Sequence, residues 1–243
     1  MRLASVGTRR VGFPAVRKKL EKEWVPHLIL KVSMFTLPFR LAAAGRRATG
    51  RKGMVELFYA YDEPTSAYAL LELSRTVQDR SVEIEFVPVV ERGIKGDPAI
   101  ERKRAYAIVD GRRLARRLGF TLGRSEPIDP EKVRFLAAWT ALAEQGPGLQ
   151  AFAEEAMKKL WYEGDGPVER EGYAAIWRQT VGGEPPDENS PEATAAVRAN
   201  ERRMTRSGPY ETPAAKIGGR WDFAQDRARQ IGTWMDELGW RAS

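Results

Sequence analysis

The side chains able to do chemistry in this chain are few. None of its 243 residues is Cys and one is His. Disulfides, thiolate metal sites and any sulfur nucleophile or redox pair are therefore excluded. A single imidazole also argues against Ser-His-Asp triads and His-rich metal sites. What remains is carboxylates, hydroxyls and cations. Asp62-Glu63-Pro64-Thr65-Ser66 places two acids and two hydroxyls where an apolar run ends and helical spacing begins. Acids are stabilising at a helix N-terminus and a serine there can cap it. Lys103, Tyr106 and Asp110 are spaced by three and four, so a helix would put them on one face, as a site or as an ordinary solvated edge. Arg112-Arg113-x-x-Arg116-Arg117 reads as a solvated helix face, with an anion site as the alternative. Asp226 opens the last apolar-periodic segment, where Asp is a common first-turn residue. Nucleotide-binding glycine motifs of the P-loop and Rossmann kinds are absent.

The elements that must position these residues follow from periodicity. Val55–Tyr61 is a β-type run, Ala67–Gln78 has helical spacing, and Val82–Val90 alternates with Val82, Ile84 and Phe86 on one face. That is a β-α-β unit with the connection a parallel pair needs. From Pro98 to Met204 only helices are predicted: Ile100–Leu118, Pro130–Glu144, Leu149–Trp161, Glu169–Gln179 and Pro191–Met204, the last with Ser190 as N-cap. Ala214–Ile217 and Arg220–Phe223 flank Gly218-Gly219, a two-residue hairpin signal. Asp226–Leu238 closes the chain as an amphipathic helix. The expected fold class is α/β: a thioredoxin-like β-α-β … β-β-α sheet with a large all-helical insertion and a basic, partly apolar N-terminal arm. The expected segments are an arm and linker over 1–53, a first thioredoxin-like half over 54–90, the helical insertion over 91–206, and a second half over 207–243.

Charge is divided unevenly along the chain. Residues 1–53 carry 13 Lys/Arg and 2 acids, a net of +11, while residues 54–243 carry 27 basic and 31 acidic residues, a net of −4. A mildly acidic body with a basic arm does not look like a nucleic-acid-binding domain, so no nucleic acid is expected. Eleven residues separate Pro26 from Pro38, too few for a membrane-spanning helix of about 20. No cleavable signal peptide is recognisable. Leu28, Val32, Phe35 and Phe39 form one helical stripe, and Leu30, Met34, Leu37 and Leu41 another. A segment apolar on nearly all sides wants burial. Docking onto the body or a twin subunit, peripheral contact with an anionic membrane through residues 9–52, and an organelle transit peptide all stay open. Arg46–Gly53 reads as a solvated linker. The expected location is cytoplasmic, with membrane association or organelle targeting through the arm as alternatives.

In this order the segments resemble a known superfamily. The Val55-Glu-Leu-Phe-Tyr strand followed by Pro64-x-Ser66 resembles the DsbA-like thioredoxin proteins, and more closely the kappa-class glutathione transferases and 2-hydroxychromene-2-carboxylate isomerases. Lys103-x-x-Tyr106-x-x-x-Asp110 with Arg113 and Gly119 resembles the first helix of their insertion. Trp161-Tyr-Glu-Gly-Asp165 resembles their Trp-x-x-Gly-x-Asp/Asn segment. Gly208-x-x-x-Thr212-Pro213 resembles the stretch carrying the thioredoxin-type cis-proline, and Gly219 with Gln225-Asp226-Arg227 the closing Gln-Asp-Arg. The reactive Ser or Cys of those proteins falls on Glu63. Residues 1–53, with His27, lie outside the resemblance, so no catalytic role is expected of that imidazole.

The resemblance implies a site at the strand-to-helix turn, where helix-terminal N–H groups favour an anion. It implies glutathione as cofactor and no metal. Thr212 and Pro213 would pair with its peptide backbone, Gln225 and Asp226 would hold its α-amino end, and Lys103, Tyr106 and Trp161 would contribute contacts. Trp161 taken by itself reads as core. Catalytic roles fall on Glu63 and Ser66. A carboxylate about 4 Å from a thiolate is repelled by roughly 1 kcal/mol at water-like dielectric and about 4 at an effective value near 20. Glu63 would therefore disfavour bound thiolate unless it is protonated and donates to sulfur, or it serves as a general base. Two functions follow. One is a glutathione-dependent isomerase or transferase-like protein acting on a small thiol or aromatic substrate, with a homodimer as the family's usual pairing through the inserted helices. The other is a redox-inactive thioredoxin-like binding module held at a partner or membrane surface by its arm.

Overall fold

A computed structural model describes residues 36–94 and 96–241. The chain divides into two units, residues 1–42 and 43–243, and the sheet with its surrounding helices belongs to the second. Helix α1 covers Leu37–Ala48, and β1 begins at Gly53. The linker expected over 46–53 is thus corrected in part: the helix runs on to Ala48. Arg47 there donates to the Gly239 carbonyl at 3.2 Å and lies over the Trp240 ring, so its charge anchors the turn. Leu28, Val32, Phe35 and His27 lie outside the described residues.

Four strands form one sheet in the order β2-β1-β3-β4, with β1 Gly53–Tyr59, β2 Val82–Pro88, β3 Ala214–Ile217 and β4 Arg220–Phe223. β1 and β2 are parallel, as the β-α-β reading requires, and β3 is antiparallel to both β1 and β4. The β3–β4 turn is Gly218-Gly219 with φ of 52° and 76°, the left-handed pair that a tight hairpin needs and glycine tolerates. Central β1 is covered on both faces, and Val55, Leu57, Phe58 and Tyr59 are fully buried. Side chains alternate along it. Phe58 joins Val87, Met204 and Ala214 on one face. On that face too, Glu56 receives Arg203 Nε at 3.1 Å, while the same guanidinium forks onto Glu85.

Between β1 and β2 lies α2, Pro64–Val77, the most buried helix. It packs against α8, Ala224–Glu237, and against α3, Ile100–Arg117. Gly111 of α3 lets the two helices cross closely: a Cβ there would lie 2.6 Å from Pro64 Cβ. This crossing sets α3 over the first turn of α2. The insertion continues as α4 Pro130–Leu142, α5 Pro147–Trp161, α6 Arg170–Thr180 and α7 Pro191–Ser207. Trp139, Phe152 and Trp177 form its aromatic centre, with ring centroids 5.0 to 6.3 Å apart. Ser190 caps α7 as expected, its hydroxyl accepting from Ala193 N–H at 3.1 Å. Among the described residues no helix is long and apolar enough to cross a membrane.

Candidate active site

The carboxyl ends of parallel strands β1 and β2 lie side by side, so whatever follows each strand must meet at one end of the sheet. After β1 comes Ala60–Glu63, and after β2 comes Val89–Gly93. Glu63 is the N-cap of α2, with extended backbone (φ −129°, ψ 116°) and Pro64 at the first helical position. Its side chain makes no capping bond. Instead Oε2 accepts two hydroxyls: Ser66 Oγ at 2.7 Å and Thr212 Oγ1 at 2.6 Å. Ser66 is fully buried, and its Oγ also accepts from Ala60 N–H at 3.2 Å. Among the described residues, Oε1 of Glu63 has no hydrogen-bond donor. Thr212 precedes a cis peptide bond to Pro213. The Pro213 carbonyl then accepts the Ala224 N–H at 2.9 Å, which joins the cis-proline turn to the start of α8.

Arg92, which the sequence reading passed over, completes the electrostatics together with Asp62. Arg92 Nη2 donates to Asp62 Oδ2 at 2.9 Å and Nη1 to the Val90 carbonyl at 3.1 Å. Burial opposes the Arg92 charge, but Glu63, Asp62 and Glu211 around it prevail and hold the guanidinium above its ordinary pKa. Burial is also the main influence on Glu63 and raises its pKa. Arg92 and the Ser66 and Thr212 hydroxyls oppose that rise, while Asp62 adds to it. A signal for Arg92 was present in the sequence: it stands just past the second of two parallel strands, as Asp62 stands just past the first.

The raised pKa has a measurable consequence. The folded chain holds the Glu63 proton to higher pH than the unfolded chain does. Glu63 therefore contributes stability fully below the ordinary carboxylate pKa, and that contribution is lost as pH rises through its raised value. Glu63→Gln lacks this dependence. Urea unfolding of both proteins from roughly pH 3 to 8 is expected to show the parent losing stability relative to the variant over that window and then running level. A constant difference across the range would contradict the assignment.

Glu63 opens onto a cleft of about 1350 Å³ whose walls come from the loop after β2, from α3, from α7 and from the turn before Thr212. Gly93 N–H donates to the Tyr210 carbonyl at 2.7 Å, tying the two loops together. Lys103 lies on the cleft wall, bridging Asp97 at 2.6 Å and Glu211 at 3.3 Å. Ile94, Ile100 and Tyr210 are exposed apolar residues at its margin.

The structure brings Glu63, Ser66, Thr212 and Pro213 together. Lys103 stands nearby, engaged as an ion-pair brace. Tyr106 does not join them: it is 57% exposed and away from the cleft lining. Trp161 is corrected from ligand contact to core. It is fully buried and its indole N–H donates to the Tyr61 carbonyl at 2.9 Å. Asp226 lies near Tyr68, which also faces Glu72 and Arg117. Gln225 has its Oε1 buried and without a partner among the described residues. Neither Gln225 nor Asp226 lines the cleft, although α8 begins on the Pro213 carbonyl. No group of three or more His, Asp or Glu able to hold a metal occurs among the described residues.

No protein-family model matches the chain. No curated protein matches it either. Solved structures do. A 2-hydroxychromene-2-carboxylate isomerase superposes with a TM-score of 0.61 at 19% identity, covering 76% of this chain and 96% of its own. A protein described as a probable DsbA oxidoreductase of Streptomyces coelicolor gives 0.57 at 13% identity, covering 77% and 90%. At such identities the likeness speaks to fold. The chain has the thioredoxin-like fold of these structures, with a helical insertion and no cysteine.

Proposed function

We propose that this protein is a glutathione-dependent isomerase or transferase-like protein in which Glu63 moves the proton. The observation that carries the reading is the state of its carboxyl group. One oxygen is fixed by Ser66 and Thr212, the other has no donor, and burial raises the pKa at the edge of a large cleft. A carboxyl so placed can both accept and return a proton. Since the protein has no thiol, disulfide exchange is not its chemistry.

In this reading the peptide of glutathione lies against Thr212-Pro213. The Thr212 N–H and C=O make no hydrogen bond among the described residues, which leaves both for a ligand backbone. The bound sulfur stays protonated, because the neighbouring carboxylate disfavours thiolate. Attack on a conjugated substrate then couples two events: the S–C bond forms as the thiol proton passes to Glu63. Rotation about the former double bond follows. Glu63 returns the proton to the departing sulfur as the S–C bond breaks, and the isomerised alkene leaves with glutathione regenerated. The apolar margin of Ile94, Ile100 and Tyr210 suits an aromatic substrate.

Calorimetric titration with glutathione at several pH values, for the full chain and Glu63→Ser, tests this. The parent is expected to bind. Glu63→Ser is expected to bind more tightly at high pH, where removing the carboxylate permits thiolate. Absence of binding by both proteins would overturn the glutathione reading. The second reading, a binding module attached through its arm, is favoured by α1, where Leu37 and Leu41 are exposed and Arg46 and Arg47 lie in the last turn. Pelleting with anionic vesicles that depends on the arm, without glutathione binding, is its expected result.

A further inference from the structure

One wall of the cleft has no part in the glutathione reading. Helix α7 presents Arg198, Arg202 and Arg206 to the cleft at four-residue spacing. Eight residues of helix put the first and last about 12 Å apart along the wall. All three are exposed, and among the described residues none has an ion pair or side-chain hydrogen bond. Several other charges of the neighbourhood are paired. Asp62 holds Arg92, Lys103 holds Asp97 and Glu211, and Glu131 holds Arg134. Glu201, on the same helix face, accepts the Val90 and Glu91 backbone N–H groups at 3.3 and 2.9 Å. On the other side of α7, Arg203 is paired twice, with Glu56 and Glu85. Arg198, Arg202 and Arg206 are the cations left over on the cleft wall; among the described residues the acids lining it without an ion pair are Glu63, Glu91 and Glu201, of which Glu201 is held by backbone N–H groups and Glu63 by hydroxyls.

Like charges at four-residue spacing destabilise a helix by a few tenths of a kcal/mol per pair, about 0.2–0.5. Three in a row along a concave wall form a favourable place for a ligand with several negative charges. Guanidinium forks match phosphate oxygens in pairs. Within the same cleft, Ile94, Ile100 and Tyr210 offer apolar surface.

We infer that the α7 wall binds the phosphate groups of a small phosphate or diphosphate ester whose apolar or aromatic portion lies against Ile94, Ile100 and Tyr210. This goes beyond the glutathione reading and requires neither Glu63 nor Thr212. It makes the cleft a site for a phosphorylated organic molecule as well.

The test is equilibrium titration of the full chain at low salt with pyrophosphate, geranyl diphosphate, geraniol and a hexaglutamate peptide. The same titrations are made on Arg202→Gln, on the triple variant Arg198→Gln/Arg202→Gln/Arg206→Gln, and on Arg229→Gln of α8 as a control. Geranyl diphosphate is expected to bind more tightly than pyrophosphate, and geraniol weakly. The triple variant should bind geranyl diphosphate at least about tenfold more weakly, with Arg202→Gln intermediate and Arg229→Gln unchanged. These side chains are exposed, so circular dichroism of the variants should match the parent. If the triple variant fails to fold, Arg202→Gln alone decides. No binding of either phosphate compound by the parent overturns the proposal. So does equal binding by parent and variants, or hexaglutamate binding as tightly as geranyl diphosphate. Glutathione binding is read separately with Glu63→Ser, so either site can fail without the other.

Discussion

Glu63→Gln should lower glutathione-dependent isomerisation by about 10²–10⁴-fold, the usual worth of a positioned general acid–base, while glutathione affinity changes only a few-fold. Gln keeps the size of Glu and can still accept the Ser66 and Thr212 hydroxyls through its carbonyl oxygen, so the turn should hold its shape. What it loses is the ability to take up and return a proton. The parent should also show kcat/KM rising with pH as the Glu63 carboxyl ionises, at a pH above the ordinary carboxylate range because burial raises its pKa. That limb should be missing from the residual activity of the variant. The measurement is turnover of a cis conjugated aromatic ketone, selected by screening with glutathione, across pH for both proteins. Full activity in Glu63→Gln would remove Glu63 from the chemistry.

Trp161→Ala should cost about 3–5 kcal/mol of stability, the range for deleting a large aromatic side chain from a core. Its ring is fully buried at the end of α5, and its indole N–H is the donor to Tyr61 O at 2.9 Å. Truncation leaves a cavity and a buried carbonyl without its donor. Trp161→Phe separates the two effects: much of the volume stays while the hydrogen bond is lost, for about 1–3 kcal/mol. The Trp161 carbonyl also accepts Gly123 N–H at 2.7 Å, so this residue fastens the end of α5 to the segment after α3. Because Tyr61 leads directly into Asp62-Glu63, the substitutions should also weaken whatever Glu63 does. Urea unfolding measures the first effect and turnover of the same ketone the second. A loss below about 1 kcal/mol for Trp161→Ala would contradict the packing described.

Much of the frame was legible from periodicity, since it depends on neighbours in the chain. Alternation in 82–88 and helical spacing in 67–77 reflect which face each side chain must hide. Ser190 as a cap and Gly218-Gly219 as a turn are equally local, each dictated by backbone geometry within a few residues. The absence of cysteine disposed at once of any chemistry that needs a thiol of the protein's own. Tertiary structure decided the rest. Thr212 reaches Glu63 across 149 residues, and Arg92 reaches Asp62 across 30. No spacing rule predicts such pairs, because they depend on how strand ends and loops converge. Whether Trp161 faces a ligand or the core was likewise settled by the helix packed against it, and Tyr106 turned to solvent although its spacing matched Lys103. No sequence motif singled out the arginines of α7. Only the fold, by leaving these three without an ion pair on a concave wall, sets them apart.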